Sequence, residues 1–333
     1  MRSRLEDDLD RGRPLILFLG DERDDEDHDI LFPQIRERGV SVVRLHPLDL
    51  MITLESDGPL FTVDGRVVRP DLVVGWVLDD LLWPGMVQLD VFARAGIPVI
   101  NDAMTLFRTA NKLLDSSQLN TGGLLRYPVL SGYDHTALAP GFTPNGTTVV
   151  KPLYGYGGRG VERLESAADY RTFGRADTSL DSAYYAMPWV ENPGRDIRVY
   201  TVNHHPVFAM YRYAPPDSWI TNVTAGGRIA MCPLTAELAD LASRASRNAN
   251  TLIGGVDIGE DVENGGYVIY EVNSCPTCEP PVLEMVADFL AVAVTDYEAA
   301  RETWEPSHVY TSLDEDPELF HLSKRHLIQS NPH

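Results

Sequence analysis

The alternation of apolar and polar positions divides the first hundred residues into strands and helices. Four apolar runs are typical of buried strands: PLILFLG (14–20), VSVVRL (40–45), PDLVVGWVL (70–78) and IPVIN (97–101). Between them, 29–38 and LWPGMVQLDVFARAG (82–96) carry apolar residues at helical spacing. Strands that alternate with helices predict a βαβ-type lobe.

The pattern changes after residue 101. A helical stretch at 102–120 leads into shorter strand-like runs, TTVVKP and GVERL, on either side of a glycine-rich loop. Further strands are predicted at YYAMPWV, IRVYTVN, HPVFAMYRY, GGRIA and YVIYEVN, with a helix over 235–252 and a polar tail after about residue 303. The fold class is therefore α/β, with mixed α+β lobes after the first one.

Composition excludes some classes of function. A net charge of −21 leaves no basic face for a phosphate backbone, so we expect no nucleic-acid partner. No run approaches the roughly 18 apolar residues of a membrane span, and the first 13 residues lack the apolar core of a signal peptide. We therefore expect a cytoplasmic protein with no membrane partner. Three cysteines are too few for a disulfide framework, and the Cys275–Cys278 pair lacks the second pair that zinc sites need.

The segment KPLYGYGGRGV places Lys151 at the end of a strand, followed by four glycines, Gly155, Gly157, Gly158 and Gly160. Glycine lets backbone amides approach phosphate oxygens closely. The spacing also satisfies G-x-G-x-x-G, but the residues after Gly160 continue as a strand, whereas a dinucleotide site opens a helix there. This disfavours an NAD(P)-dependent oxidoreductase. We predict a hairpin flap that closes over a nucleotide; the alternative is a plain glycine-rich hairpin.

The acidic run at 20–29, GDERDDEDHD, follows the first strand and would repel a pyrophosphate. We expect a solvated loop there, with a cationic amine at the mouth of the site as a second interpretation.

A second chemical element is GGVDIGEDVENGGYVIYEVNSCP, which contains Asp257, Glu271 and Asn273. Glu271 and Asn273 share one face of a strand because side chains two apart point the same way. With Asp257 on the neighbouring strand they offer hard oxygen ligands that suit magnesium. The alternative is a solvated strand face.

Five motifs occur in an order that resembles the RimK-like ATP-grasp ligases: K-P-x-x-G-x-x-G-x-G-V, P-G-R-D-I-R-V, T-N-x-x-x-G-G, G-V-D-I and E-V-N-S-x-P. The resemblance covers roughly residues 95–290, and the group includes relatives that add glutamate to cofactor tails, such as the tetrahydromethanopterin ligases. It implies an ATP-grasp fold with an N-terminal pre-ATP-grasp βαβ lobe. The expected divisions are a pre-ATP-grasp domain (1–100), a central lobe with the glycine loop (101–185), a C-terminal lobe with the metal site (186–300) and a polar tail (301–333).

The resemblance also assigns roles to residues of this chain. Two of its three lysines fall on the positions expected to reach the ATP phosphates. The implied cofactor-binding residues are Lys112, Lys151, Gly155, Gly157, Gly158, Gly160, the hinge residues Met187, Pro188, Trp189, Val190 and Glu191, and Asp196 for the ribose. The implied catalytic residues are Arg198, Arg212 and Asn222, and the implied metal ligands are Asp257, Glu271 and Asn273.

The implied activity is formation of an amide bond, dependent on ATP and on magnesium, for which manganese could substitute. A carboxylate would attack the γ-phosphorus of ATP, and an amine would then displace phosphate from the acyl phosphate. The expected substrates are small-molecule acids and amines, namely an amino acid, a peptide or a cofactor tail, with glutamate favoured; homo-oligomerisation is left open. Ile220 stands where many relatives have arginine, and this difference affects which carboxylate substrate is expected. The competing hypothesis is a catalytically silent ATP-binding regulatory protein of the same fold.

Overall fold

The computed structural model describes residues 12–140, 142–143, 146–155, 157–175, 183–222 and 227–310. The first part of the chain forms a parallel four-stranded sheet in the order β2-β1-β6-β7, flanked by helices, as the sequence predicts. Its elements are β1 (Leu15–Leu19), a 3₁₀ turn (Glu22–Asp24), α1 (Asp25–Glu37), β2 (Ser41–Leu45), β3 (Met51–Glu55), β4 (Gly58–Val63), β5 (Arg66–Val67), β6 (Leu72–Gly75), a 3₁₀ turn (Asp79–Leu81), α2 (Leu82–Arg94) and β7 (Val99–Ile100).

The small antiparallel sheet β3-β4-β5 was not predicted. Its second connection is the dipeptide Asp64-Gly65, and both residues have positive φ angles, 48° and 73°. Two consecutive positive φ values define the tight hairpin turn that Asp-Gly favours. The turn chemistry was therefore in the sequence, but β3 is largely exposed and lacks the alternation that marks a strand.

The expectation of a solvated acidic loop at 20–29 is wrong for its second half, because α1 begins at Asp25. Asp27 and His28 are buried, and the Asp27 carboxylate accepts a hydrogen bond from the backbone N–H of Cys278 at 2.9 Å. Acidic residues in a first helical turn are stabilised by the unpaired N–H groups and the positive end of the helix dipole. The run therefore starts a helix.

The middle of the chain forms a second, antiparallel sheet in the order β10-β9-β11-β8. The stretch predicted as one helix at 102–120 is two helices, because the side chain of Asn111 accepts from Leu113 N and Leu114 N and caps a new helix. The elements are α3 (Ala103–Ala110), α4 (Lys112–Thr121), β8 (Leu130–Gly132), a 3₁₀ turn (His135–Ala137), β9 (Thr148–Pro152), β10 (Glu162–Leu164), α5 (Ala167–Phe173) and β11 (Tyr184–Pro188).

The last part forms a five-stranded antiparallel sheet in the order β14-β13-β12-β15-β16, with helix α6 packed on one face. The elements are β12 (Arg195–Val202), β13 (His205–Tyr213), β14 (Arg228–Met231), α6 (Ala236–Ala249), β15 (Ile253–Glu260), β16 (Tyr267–Asn273), α7 (Pro280–Ala293) and α8 (Tyr297–Thr303). Trp304 and Tyr310 are buried beyond α8, so the start of the expected polar tail packs on the protein. The tail after residue 310 lies outside the described residues.

The first and last sheets are joined through one core. A single hydrophobic cluster contains Leu31 and Ile35 of α1 together with Val286 and Leu290 of α7. The buried side chain of Asn101 adds polar contacts, because its Nδ2 donates to the carbonyls of Ile253 and Ser274, both at 2.7 Å. None of the described helices is long and apolar enough to cross a membrane. The predicted lobe boundaries stay predictions.

Candidate active site

A cleft lies between the second and third sheets, with the glycine-rich hairpin on one side and strands β12, β13 and β16 on the other. Most of the predicted site residues line it: Lys112, Lys151, Gly155, Gly157, Gly158, Met187, Pro188, Trp189, Val190, Asp196, Arg212, Asn222, Asp257 and Glu271. Four predicted residues do not form part of its lining: Gly160, Glu191, Arg198 and Asn273. The chain thus brings together residues that are up to 159 positions apart (271 − 112 = 159).

The glycine loop is the tip of the hairpin formed by β9 and β10, which pair in antiparallel register from Thr148↔Leu164 to Val150↔Glu162. The hairpin is therefore confirmed, and its closure over a nucleotide stays a prediction. All four predicted glycines have positive φ angles, between 66° and 134°. At Gly158 a Cβ atom would lie 2.7 Å from Ile220 Cγ2 and 3.1 Å from Asn222 Oδ1. The hairpin tip consequently rests directly on the segment that carries Asn222.

The two predicted phosphate lysines reach the cleft from different elements. Lys112 opens helix α4, where its backbone N–H donates to Leu153 O at 3.1 Å and its Nζ donates to Gly155 O at 2.8 Å. Lys151 is the last residue but one of β9, and its Nζ lies 5.7 Å from the centre of the Tyr270 ring. Burial lowers the pKa of Lys151, while the nearby Glu271 carboxylate opposes that shift. Both ammonium groups are available to an anionic ligand in the cleft.

The predicted hinge continues from β11. Met187 and Pro188 pair with β9, and the backbone N–H of Trp189 donates to Thr147 O at 3.0 Å. The carbonyl of Val190 accepts from Asn192 Nδ2 at 3.0 Å, and among the described residues the N–H of Val190 has no acceptor. A free backbone donor at this wall suits the edge of a planar heterocycle. Glu191 faces a separate depression with Arg126 and Asp261.

Two arginine–aspartate pairs form a buried network at the floor of the cleft. Arg198 binds Asp257 through two hydrogen bonds of 2.7 and 2.8 Å, and Arg212 binds Asp196 through two of 2.8 and 2.7 Å. Arg212 also lies 2.9 Å from Asp257, and Thr221 Oγ1 donates to Asp196 at 2.7 Å. Burial alone would raise the pKa of Asp257, but the two guanidinium groups hold it well below its ordinary value. Asp257 is therefore ionised at neutral pH.

The three predicted metal ligands converge. Asp257 on β15 stands opposite Glu271 on β16, and the Nδ2 of Asn273 lies 3.5 Å from both Asp257 Oδ2 and Glu271 Oε1. An ionised carboxylate has about four acceptor positions. Among the described contacts Asp257 Oδ1 accepts only from Arg198 Nε, so one of its positions stays open. The two carboxylates fit a hard cation such as Mg²⁺, and Asn273 would add its Oδ1 once the amide is rotated, because the Nδ2 that now faces them is a donor.

Sequence reasoning missed several residues of the cleft wall. Trp219 packs edge-on against Trp189 with ring centres 5.4 Å apart, and the guanidinium of Arg163 lies 4.8 Å from the Trp189 ring. Arg195 binds Glu260 through two hydrogen bonds of 2.7 and 3.0 Å. Arg195 lies inside the P-G-R-D-I-R-V motif, so its position was readable, whereas no motif marks Trp219.

The cysteines lie elsewhere. Cys232, Cys275 and Cys278 are buried and form no disulfide, and none of them lines the cleft. Burial raises the pKa of the Cys278 thiol well above its ordinary value.

Comparison with known proteins gives a consistent picture. Residues 145–288 match the model of the RimK-like ATP-grasp domain. The chain is 27% identical over 264 residues to the tetrahydromethanopterin:alpha-L-glutamate ligase of Methanocaldococcus jannaschii, a match that covers 68% of this chain and 90% of that protein. It is 31% identical over 196 residues to the alpha-aminoadipate–LysW ligase LysX of Sulfurisphaera tokodaii, which covers 56% of this chain and 66% of the relative.

Among solved structures, the ATP-grasp ligase PsnB in complex with its minimal precursor, Mg and ADP superposes with a TM-score of 0.65 at 18% identity, covering 85% of this chain and 97% of that one. This likeness shows the ATP-grasp fold. The family match covers the glycine hairpin, the hinge, the arginine–aspartate network and the strands of the candidate metal ligands, and the two relatives are named as ligases for alpha-L-glutamate and alpha-aminoadipate. Residues 145–288 are thus similar to the RimK-like ATP-grasp domain, and the chain is similar to ligases that carry it.

Proposed function

We propose that this protein is an ATP- and Mg²⁺-dependent carboxylate–amine ligase that forms an amide bond through an acyl phosphate. One observation carries the proposal: Lys112, Lys151 and the Asp257–Glu271–Asn273 group line or adjoin a single cleft under a glycine hairpin. Cationic groups and oxygen ligands at one end of a nucleotide-sized cleft suit phosphoryl transfer, which depends on positioning and on charge neutralisation.

The walls of the cleft would hold the nucleotide along its length. The N–H of Val190, which has no acceptor among the described residues, and the carbonyl of Pro188 would hold adenine on the wall formed with Met187 and the Trp189–Trp219 pair. Lys112 and Lys151 line the same cleft, and Lys112 touches the glycine loop through Gly155 O. The loop would close over the phosphates and exclude water, which protects an acyl phosphate from hydrolysis.

Asp257, Glu271 and Asn273 would hold Mg²⁺, which supplies positive charge against the phosphate oxygens when bound. The convergence of these side chains and the open acceptor position on Asp257 support that role. Manganese has the same preference for oxygen ligands and would be an acceptable substitute.

The arginines would orient the reacting acid. Among the described contacts Arg198 and Arg212 use Nε and Nη2 for their aspartates, which leaves Nη1 of each guanidinium without a protein acceptor. A substrate carboxylate bound there would attack the γ-phosphorus of ATP and release ADP. The amine would then attack the carbonyl carbon, lose a proton, and expel phosphate. Asn222, at the glycine-loop contact, is positioned to bind the same oxygens.

We propose that one of the two substrates is an amino acid, and glutamate is favoured. The named relatives support this, since they are ligases for alpha-L-glutamate and for alpha-aminoadipate. The other substrate would be a small molecule, a cofactor tail or a peptide. The PsnB structure, in which a minimal precursor is bound to the ligase, supports this range.

The test uses purified protein with ATP, Mg²⁺, a mixed amino-acid pool and a panel of carboxylic acids and amines. ADP release is followed by a coupled assay and products by mass spectrometry. We expect ADP only when Mg²⁺ and a matching acid–amine pair are present, together with a product whose mass is the sum of the two substrates less one water. Tight ATP binding without ADP across the panel would instead favour the silent regulatory protein.

A further inference from the structure

Asp115 is a buried carboxyl next to the candidate metal site that no motif marks. It lies on helix α4, its residue is 1% exposed, and its Oδ2 accepts a hydrogen bond from the backbone N–H of Val272 at 3.0 Å. Its Oδ1 is buried and has no hydrogen-bond partner among the residues that the structure describes. A buried polar atom without a partner costs stability, so a purely structural explanation would favour a smaller or apolar residue.

The hydrogen bond from Val272 N–H to Asp115 lies between two of the candidate metal ligands. Val272 stands between Glu271 and Asn273 on β16, which is an edge strand and, among the described strands, pairs with β15 alone. An outward-facing N–H on an edge strand has no neighbouring strand to accept it. Asp115 supplies that acceptor at the residue between two candidate metal ligands.

The same helix carries a candidate phosphate ligand. Lys112 is the first residue of α4, and Asp115 follows one turn later, so both belong to the turn that meets the cleft. The link between α4 and β16 therefore joins the lysine to the strand of Glu271 and Asn273. A second contact, from Tyr127 OH to Ile269 O at 2.8 Å, fixes the same strand farther along.

We propose that Asp115 is a positioning residue, which holds strand β16 against helix α4 and thereby sets Glu271 and Asn273 relative to Lys112. The proposal rests on the proposed ligase function, because only metal-assisted phosphoryl transfer gives this spacing a consequence. Loss of the Asp115 bond would free the backbone between the two ligands while leaving both side chains in place.

The test compares Asp115→Ala and Asp115→Asn with a matched control, Ser116→Ala. Ser116 is the next residue and is also buried, and its replacement removes one hydrogen bond of 2.9 Å to Tyr185 OH. Among the described hydrogen bonds it makes none with β16. Residues behind metal ligands typically change metal affinity or activity by about 10- to 100-fold. Asp115→Ala should therefore lower kcat for ADP formation by roughly tenfold and raise the Mg²⁺ concentration for half-maximal activity.

Asp115→Asn should restore most of both values, because the amide carbonyl can accept from Val272 N–H. Ser116→Ala should lower the melting temperature as much as Asp115→Ala does, yet leave kcat and the Mg²⁺ dependence within about twofold. Equal kinetic losses in Asp115→Ala and Ser116→Ala, or no recovery in Asp115→Asn, would overturn the proposal.

Calorimetry of ATP binding with and without Mg²⁺ separates this proposal from the proposed function. If the wild-type protein releases no ADP, the ligase assignment fails. The Mg²⁺-dependent gain in ATP affinity would still have to fall in Asp115→Ala, and remain in Ser116→Ala, for the positioning role to stand.

Discussion

Closure of the glycine hairpin onto residues 220–222 can be tested at Gly158. This glycine has φ +76°, and a Cβ atom there would lie 2.7 Å from Ile220 Cγ2. The methyl Cγ2 is a branch on a stiff side chain, so it cannot swing away freely. Gly158→Ala should therefore destabilise the closed loop in two ways. The alanine would be strained at this positive φ, and its Cβ would clash with Ile220 Cγ2.

The magnitude follows from these two contributions. An alanine in the left-handed region costs roughly 1–2 kcal/mol, and an overpacked contact of this kind costs about 1–3 kcal/mol. Even the lower bounds together give about 2 kcal/mol, which corresponds to a drop of roughly 30-fold in kcat/KM for ATP. Because the loop is at the surface of the cleft, the loss should appear in kinetics more than in the melting temperature.

The assay is a double-mutant cycle with Ile220→Ala. Removing Cγ2 of Ile220 relieves the contact, so Gly158→Ala should cost about 1–3 kcal/mol less in the Ile220→Ala background. The backbone strain of about 1–2 kcal/mol should remain. Gly123→Ala is the matched control, since Gly123 has φ +67° with nothing within 4 Å of its Cβ position and lies outside the cleft. It should lower the melting temperature without changing kcat/KM.

Strict additivity in the cycle would refute the contact as a feature of the working enzyme. Unchanged kcat/KM in Gly158→Ala would refute closure of the loop over the nucleotide altogether. Either result would also weaken the role given to Asn222, whose Oδ1 lies 3.1 Å from the same Cβ position.

Two further predictions concern charge. Glu271→Gln should abolish ADP formation and change the melting temperature little, since the amide keeps the shape of the side chain; retained turnover would show that Glu271 is not a metal ligand. Burial and the neighbouring Arg44 lower the pKa of His28 from 6.5 to about 4. Between these two pH values His28 is protonated in the unfolded chain and neutral in the folded protein. Stability should fall by about 2.5 kcal/mol between pH 7 and 4.5 from this group alone. In urea unfolding His28→Phe should remove that part of the pH dependence, and an unchanged dependence would contradict the assignment.

The parts of the fold that the sequence predicted are those with a simple period. β1, β2, β6 and β7 are continuous apolar runs, and the helices between them have one apolar face, so their class was clear from the pattern. Helix α7 was missed because it is buried on nearly every side, and a helix that is apolar all round has no amphipathic signal. The split at Asn111 was missed because a capping side chain does not interrupt the apolar spacing.

The candidate site was predictable only where chemistry is carried by side chains in motifs. Glu271 and Asn273 could be paired from their spacing, and the two lysines from family resemblance. The pairing of Arg198 with Asp257 and of Arg212 with Asp196 needed the register of β12, β13 and β15. Asp115 could not be found at all, because its partner is a backbone N–H 157 residues away and a backbone donor leaves no trace in sequence.

The charges on the floor of the cleft explain why nucleotide binding should depend on a divalent cation. Arg198, Arg212, Asp196 and Asp257 are paired with one another and sum to zero, so they contribute no net attraction for a triphosphate. Against the nucleotide stand Lys112, Lys151 and Arg159, and Glu271 cancels one of them, while Arg195 is paired with Glu260. Two net positive charges are too few for a tetra-anion in a partly desolvated cleft. The oxygen ligands therefore have to recruit further positive charge, and ATP affinity should rise steeply with Mg²⁺ concentration.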